Sequence, residues 1–169
     1  MPITLYQSAN SKIEYFENGN VAFKNARIMF RNFSGKPGKF NAEGKRNFCV
    51  VIPDERAANK LSEDGWNVRI LAPRDPDDRA LHYIPVSVSY GYRPPHIEMR
   101  SRNSVTDLDE SMVGTLDVAD IEKVDLVINP YDWEVNGGKG RKAYLKSMRV
   151  DLAMDELDAL YDDDAPWDE

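Results

Sequence analysis

Cations and flat side chains interleave along much of this 169-residue chain. Arg27, Arg31 and Phe33 fall on one face of a period-2 run. Lys36, Lys39 and Phe40 stand in the glycine-rich stretch that follows, with Lys45 at its end. Arg46 and Phe48 share a face of the next run, and Tyr90, Tyr92, Arg93, Arg100 and Arg102 gather about a later break. Tyr131 and Trp133 share a face, and Arg141, Lys142, Tyr144 and Lys146 follow a glycine cluster. Single-stranded nucleic acid needs this mixture. Cations follow its phosphates, and flat side chains stack on unpaired bases at about 1–3 kcal/mol each. A duplex would not need exposed aromatics, and no helix offers a basic recognition face. The candidate stacking residues are Phe33, Phe40, Phe48, Tyr92, Tyr131, Trp133 and Tyr144. The candidate phosphate contacts are Arg31, Lys36, Lys39, Lys45, Arg46, Arg93, Arg100, Arg102, Arg141, Lys142 and Lys146. A small β body also needs large side chains inside, so a share of these rings belongs to the core; Phe30 and Tyr90 are expected there. RNA stays open as a ligand, because stacking does not read the 2′-hydroxyl.

Other chemistries find less support. The two histidines, His82 and His96, form no Cys/His pair with metal-ligand spacing. No serine or cysteine lies in an activating context. The stretch from Gly38 to Gly44-Lys45 only loosely resembles a phosphate cradle: five residues intervene rather than four, and Arg46 stands where Ser or Thr would hold magnesium. Asp107, Asp109, Glu110, Asp117, Asp120 and Asp125 could ligate magnesium in a nuclease, but a solvated acidic surface explains them better. The reading is non-enzymatic, with no metal and no cofactor.

The elements that must position these residues are mostly strands. Ala26–Phe33, Arg46–Ile52, Trp66–Leu71, Leu81–Tyr90, His96–Arg102, Glu122–Val135 and Arg141–Val150 read as β runs. Lys12–Phe16 adds a short candidate, before a turn at Asn18-Gly19-Asn20. Pro85 marks an edge or a bulge in its strand. Pro53–Asp64 reads as the one short helix. Ser34–Lys45 and Ala72–Arg79 are loops, and Asn103–Asp120 reads as loop with short helical turns. Asn136-Gly137-Gly138-Lys139-Gly140 is a hairpin signal. Six to eight strands and one helix in about 150 residues predict an all-β, OB-fold-like Greek-key barrel; a β-sandwich is the competing architecture.

Charge divides the chain at residue 150. The full chain is net −7, and nine of its 29 acidic residues lie in the last nineteen, which hold no Lys or Arg. Residues 1–150 keep 20 acidic against 22 basic residues, net +2. The expectation is a mildly basic binding domain, 1–150, tethered to an acidic interaction tail, 151–169. A like-charged block repels itself and stays solvated; a plain solubility tail is the bland alternative. Such a tail would compete for a cationic groove and then be released to other proteins. The rival is an interaction module whose tail mimics DNA. The single cysteine, Cys49, reads as a small buried apolar residue. With no signal-peptide pattern and no run of roughly 20 apolar residues, a cytoplasmic location and no membrane association are expected.

The chain resembles bacteriophage single-stranded DNA-binding proteins of the OB-fold kind. Asp162-Asp163-Asp164-Ala165-Pro166-Trp167 is similar to the acidic, aromatic-ended tails of this class. Asn129-Pro130-Tyr131-Asp132-Trp133, with Asn136 to Gly140 and Ala143-Tyr144-Leu145, is similar to a C-terminal hairpin of phage replication proteins. The resemblance implies sequence-tolerant binding of single-stranded DNA in replication, recombination and repair. It also implies that Asp162, Asp163, Asp164, Pro166 and Trp167 recruit a polymerase, helicase or primase. In the family the aromatic stands at or next to the terminus; here Asp168 and Glu169 follow, which favours a phage-encoded partner over a host one. A homodimer is left open.

Overall fold

Alternation of apolar and polar side chains organises the body. The computed structural model describes residues 2–39, 41–91, 93–101 and 104–153. The described residues form eleven strands: β1 (Ile3–Gln7), β2 (Lys12–Tyr15), β3 (Val21–Ala26), β4 (Ile28–Asn32), β5 (Arg46–Ile52), β6 (Arg69–Leu71), β7 (Leu81–Val88), β8 (His96–Ser101), β9 (Ser104–Asp107), β10 (Ile121–Val135) and β11 (Gly138–Leu152). One α-helix, α1 (Glu55–Glu63), and one 3-10 turn (Val113–Asp117) complete them. No helix among the described residues is long and apolar enough to cross a membrane.

The strands join into one sheet, in the order β1-β2-β3-β10-β11-β7-β5-β4. β6 adds to β7, and β8 and β9 add to β11. Inward residues recur every second position: Phe48, Val50 and Ile52 on β5, Ile84, Val86 and Val88 on β7, and Val124, Leu126 and Ile128 on β10. They meet Phe23, Phe33, Leu116, Leu145 and Val150 in one core. One continuous sheet around one core is the all-β, OB-like arrangement rather than two stacked sheets.

α1 forms where expected. Asp54 caps it, its carboxylate accepting the Ala57 N–H at 3.1 Å. Its apolar stripe buries Ala57, Ala58 and Leu61. The β10–β11 hairpin turns on two residues only, Asn136 (φ +51°) and Gly137 (φ +85°), as a type I′ turn requires. Gly138, Lys139 and Gly140 therefore belong to β11, not to a loop.

Other boundaries moved. Of the run Ala26–Phe33 only Ile28–Asn32 forms a strand of its own, β4, with a bulge between Met29 and Asn32, while Ala26 ends β3. Phe30 sits in that bulge at φ +52°. The strict alternation expected there fails, and Phe30 emerges 57 % exposed instead of joining the core. Pro85 lies where one edge of β7 passes from pairing with β6 to pairing with β11, which tolerates its missing donor. β1, β9 and all of β3 before Ala26 have no counterpart among the strands expected from sequence. β11 runs through Leu152, and the Ala153 N–H donates to the Asp120 carbonyl at 2.8 Å, so the body extends past residue 150.

Candidate nucleic-acid interface

The outer half of the β10–β11 hairpin carries the strongest aromatic surface. Odd-numbered residues of β10 face outward. Tyr131 pairs with Lys142, and Trp133 with Gly140. Tyr131 is 56 % and Trp133 41 % exposed. The Tyr131 and Tyr144 rings meet edge to face at 5.9 Å, and the Lys142 Nζ lies 5.0 Å from the Tyr144 ring centroid. Trp133 lies across Gly140, where a side chain would collide with the indole. Lys146 is exposed two residues beyond Tyr144. Rings and ammonium groups thus share one wet face.

That face continues across the sheet. Asn129 pairs with Tyr144, Tyr144 with Ser87, Ser87 with Asn47, and Asn47 with Asn32. Paired residues point to the same side, so these five make one outward row over β10, β11, β7, β5 and β4. At about 4.8 Å per strand the row is roughly 19 Å long. Its far end reaches the lysine loop. The Asn32 carboxamide donates to the Lys36 carbonyl at 3.1 Å and accepts the Lys36 N–H at 2.9 Å. Asn41 donates to the Lys36, Ala42 and Lys45 carbonyls, and Asn47 donates to Asn41. The start of the loop is pinned by Asp117 of the 3-10 turn, whose carboxylate accepts the Phe33 and Ser34 N–H groups and the Ser34 hydroxyl. Lys36, Lys39 and Lys45 stand exposed on this held loop.

Several expected contacts lie elsewhere. Phe33 and Phe48 do not reach solvent; they stack on each other in the core at 5.0 Å. The shared face of Arg46 and Phe48 is the inward one, so periodicity paired them correctly but on the wrong side. Arg46 closes one end of the body. It lies over Tyr90 at 5.9 Å and pairs with Glu110 at 3.6 Å. Tyr90 is half-buried, and burial raises its phenol pKa. Arg31 donates to the Leu116 and Ala119 carbonyls at 2.9 and 2.8 Å, tying β4 to the 3-10 turn. Arg141 takes the opposite face of the hairpin from Lys142. It packs over buried Trp66 and pairs with Asp132 and Asp64 at 2.7 and 3.1 Å. Its hydrogen bonds hold the Asp132 carboxyl below its ordinary pKa. Each of these three arginines thus has a partner within the body. Arg93 is exposed, and Arg100 lies 3.8 Å from Asp151. Phe40, Tyr92, Arg102 and the tail residues Asp162, Asp163, Asp164, Pro166 and Trp167 lie outside the described residues.

The acidic residues have separate tasks. Asp109 caps a turn through Ser111 and Met112, which lowers its pKa. Glu110 meets Arg46, Asp117 holds the loop, and Asp125 accepts the Asn25 N–H at 2.8 Å. Asp107 stands near His96 and Glu98, donor atoms within 4.8 Å of one another. There His96 pairs with Asp107 at 3.1 Å and Glu98 with Arg149 at 3.3 Å.

The fold and this face define an OB-like β body with an outward aromatic surface bordered by lysines. Residues 10–169 match the family model of the phage ssDNA-binding domain, and the chain belongs to that family. Its structure is similar to the single-stranded DNA-binding protein from bacteriophage Enc34. For the C-terminally truncated form of that protein the TM-score is 0.56 at 15 % identity, covering 92 % of this chain and 97 % of that one. For the form in complex with ssDNA the TM-score is 0.57 at 14 % identity, covering 91 % and 97 %. At this identity the likeness establishes the shared fold. No curated protein matches the sequence.

Proposed function

We propose that this chain binds single-stranded DNA with tolerance of sequence, and serves phage DNA replication, recombination and repair in the host cytoplasm. The observation that carries the reading is the outward row from Tyr131, Trp133, Lys142 and Tyr144 through Ser87 and Asn47 to the lysine loop. Every base offers a flat face, so stacking there needs no particular sequence. Lysines at both ends supply the phosphate term, which weakens with salt. Membership of the phage ssDNA-binding family and the fold shared with the Enc34 protein, one form of which is a complex with ssDNA, support it. The role needs no catalytic step.

The acidic tail fits the same role. Tethered to a body whose binding face is bordered by lysines, it would compete for that face at an effective concentration on the order of millimolar. It would cover the face in the absence of DNA, and on release Asp162, Asp163, Asp164, Pro166 and Trp167 would engage a replication partner.

The test is tryptophan fluorescence of protein truncated after Ala153, which keeps β11 whole. Trp66 is 3 % exposed and Trp133 41 %, so quenching reports the hairpin. Strong quenching by poly-dT, weaker by an equal duplex and reduced by salt, is expected. Absence of both quenching and a gel shift would sink the reading.

A further inference from the structure

We infer that Phe30 and Tyr83, with Arg69, form a second base-stacking station on the same outward face, and that bound single-stranded DNA runs from the hairpin across β7 and β5 to reach it. The inference rests on the function proposed above.

Three observations carry it. First, Phe30 stands on the outward face against the usual preferences of its residue type. It is a bulky residue in the left-handed region, at φ +52°, which L side chains rarely adopt. Its ring stays 57 % exposed rather than entering the core. Strained positions of this kind persist where the surroundings fix them and gather at functional sites. Second, the ring is held. Phe30 meets Tyr83 edge to face, at 5.9 Å and 74°. Tyr83 pairs with Val51 on one side and with Arg69 on the other. Val51 is outward by register yet only 6 % exposed, which fits rings lying over it. Arg69 is exposed, and close enough to Cys49 to act on its thiol. A cation paired opposite one of two touching rings repeats the chemistry of the hairpin.

Third, the two stations share a face with no charge between them. Tyr83 and Ser87 both point outward from β7, four residues or roughly 13 Å apart. Ser87 adjoins Tyr144 of the hairpin. The outward positions between the stations are Ser87, Pro85, Asn47, Cys49 and Met29, joined by register. None is acidic, so no carboxylate opposes a phosphate chain passing over them. A protein partner would also fit exposed rings, but the uncharged path to a lysine- and aromatic-bearing hairpin favours a strand of DNA.

The test compares full-length protein with Phe30→Gly and Tyr83→Leu, using labelled oligo-dT of about four and about twelve nucleotides, both within the usual range for one such fold. Glycine accepts the positive φ, so Phe30→Gly should not lower the melting temperature. Wild-type affinity should rise with oligonucleotide length, and both variants should cut that rise about fivefold or more, the loss of one stacked base. In a separate F30W protein the new indole should be quenched by the longer oligonucleotide. An unaltered length dependence in both variants would overturn the second station while leaving the hairpin reading intact. Equal loss at both lengths, or a change of oligomeric mass without a change of affinity, would overturn it too. Failure of the wild type to bind either oligonucleotide would instead remove the function on which it rests.

Discussion

Trp133 lies flat over Gly140 of the facing strand, so that a Cβ at position 140 would stand 2.7 Å from the indole Cζ2. Gly140 is not at positive φ, so the missing side chain serves the neighbour and not the backbone. Gly140→Ala should push the indole off its bed. Trp133 is free to move toward solvent, so stability should change by about 1 kcal/mol or less. The stacking surface would be re-aimed, and affinity for poly-dT should fall severalfold while the melting temperature holds. An equal affinity with an unshifted Trp133 emission spectrum would show that the indole's pose does not matter.

Phe33 and Phe48 should behave in the opposite way. They stack on each other inside the core, 0 % and 1 % exposed. Phe48→Ala removes a large buried ring and should destabilise the fold by about 3–5 kcal/mol in urea unfolding. Tyr131→Ala removes an exposed ring and should cost about 1 kcal/mol or less, yet weaken DNA binding more than its effect on folding. Similar stabilities for the two variants would contradict the burial assigned here.

The contrast shows what the sequence makes legible. Periodicity puts Arg46 with Phe48, and Tyr131 with Trp133, on shared faces, and both pairings hold. It does not say which face is wet. β10 leaves the body at its far end, so the same alternation that buries Ile128 exposes Tyr131. Phe30 could not be placed from alternation at all, because a bulge with one residue at positive φ reverses the parity of β4 between Met29 and Asn32. The partners of the arginines are hidden from the sequence for a related reason. Arg31, Arg46 and Arg141 have partners distant in sequence, on the 3-10 turn, at Glu110, and at Asp64. The hairpin and β5 were readable because their signals are local. β9, four residues long and paired to β8 at a sheet edge, has almost no signal of its own.

Cys49 offers a pH test. Burial pushes its thiol up to about 11, against an opposing pull from Arg69. The thiolate is the reactive form. At pH 8 a group titrating near 11 is about one part in a thousand ionised, so the folded protein should resist iodoacetamide that labels the urea-unfolded chain readily. The sign for stability follows. The folded state holds this proton more tightly, so its contribution is full below the unfolded thiol's pKa and is lost as pH rises toward 11. Cys49→Ser should flatten that alkaline loss. Rapid labelling at pH 8 without unfolding would mean that the thiol is more open than its surroundings imply.

Asp117 joins fold to binding most directly, and its removal makes the sharpest prediction. One carboxylate accepts the Phe33 N–H, the Ser34 N–H and the Ser34 hydroxyl where the lysine loop leaves β4. Asp117→Ala strands these donors and should destabilise the protein by about 1–3 kcal/mol. Asp117→Asn, which keeps one acceptor oxygen, should fall between. With the loop released, Lys36, Lys39 and Lys45 would no longer be held at the end of the outward row. Each phosphate contact on a single strand adds about 0.7 to the slope of log K against log salt. Lys36→Ala should therefore reduce the slope by up to about 0.7, and Asp117→Ala by more, though it removes no positive charge. Trp133→Ala should lower affinity at every salt concentration with the slope nearly intact. A slope unaffected by Asp117→Ala would mean that the loop lysines do not meet phosphate, and would confine the interface to the hairpin.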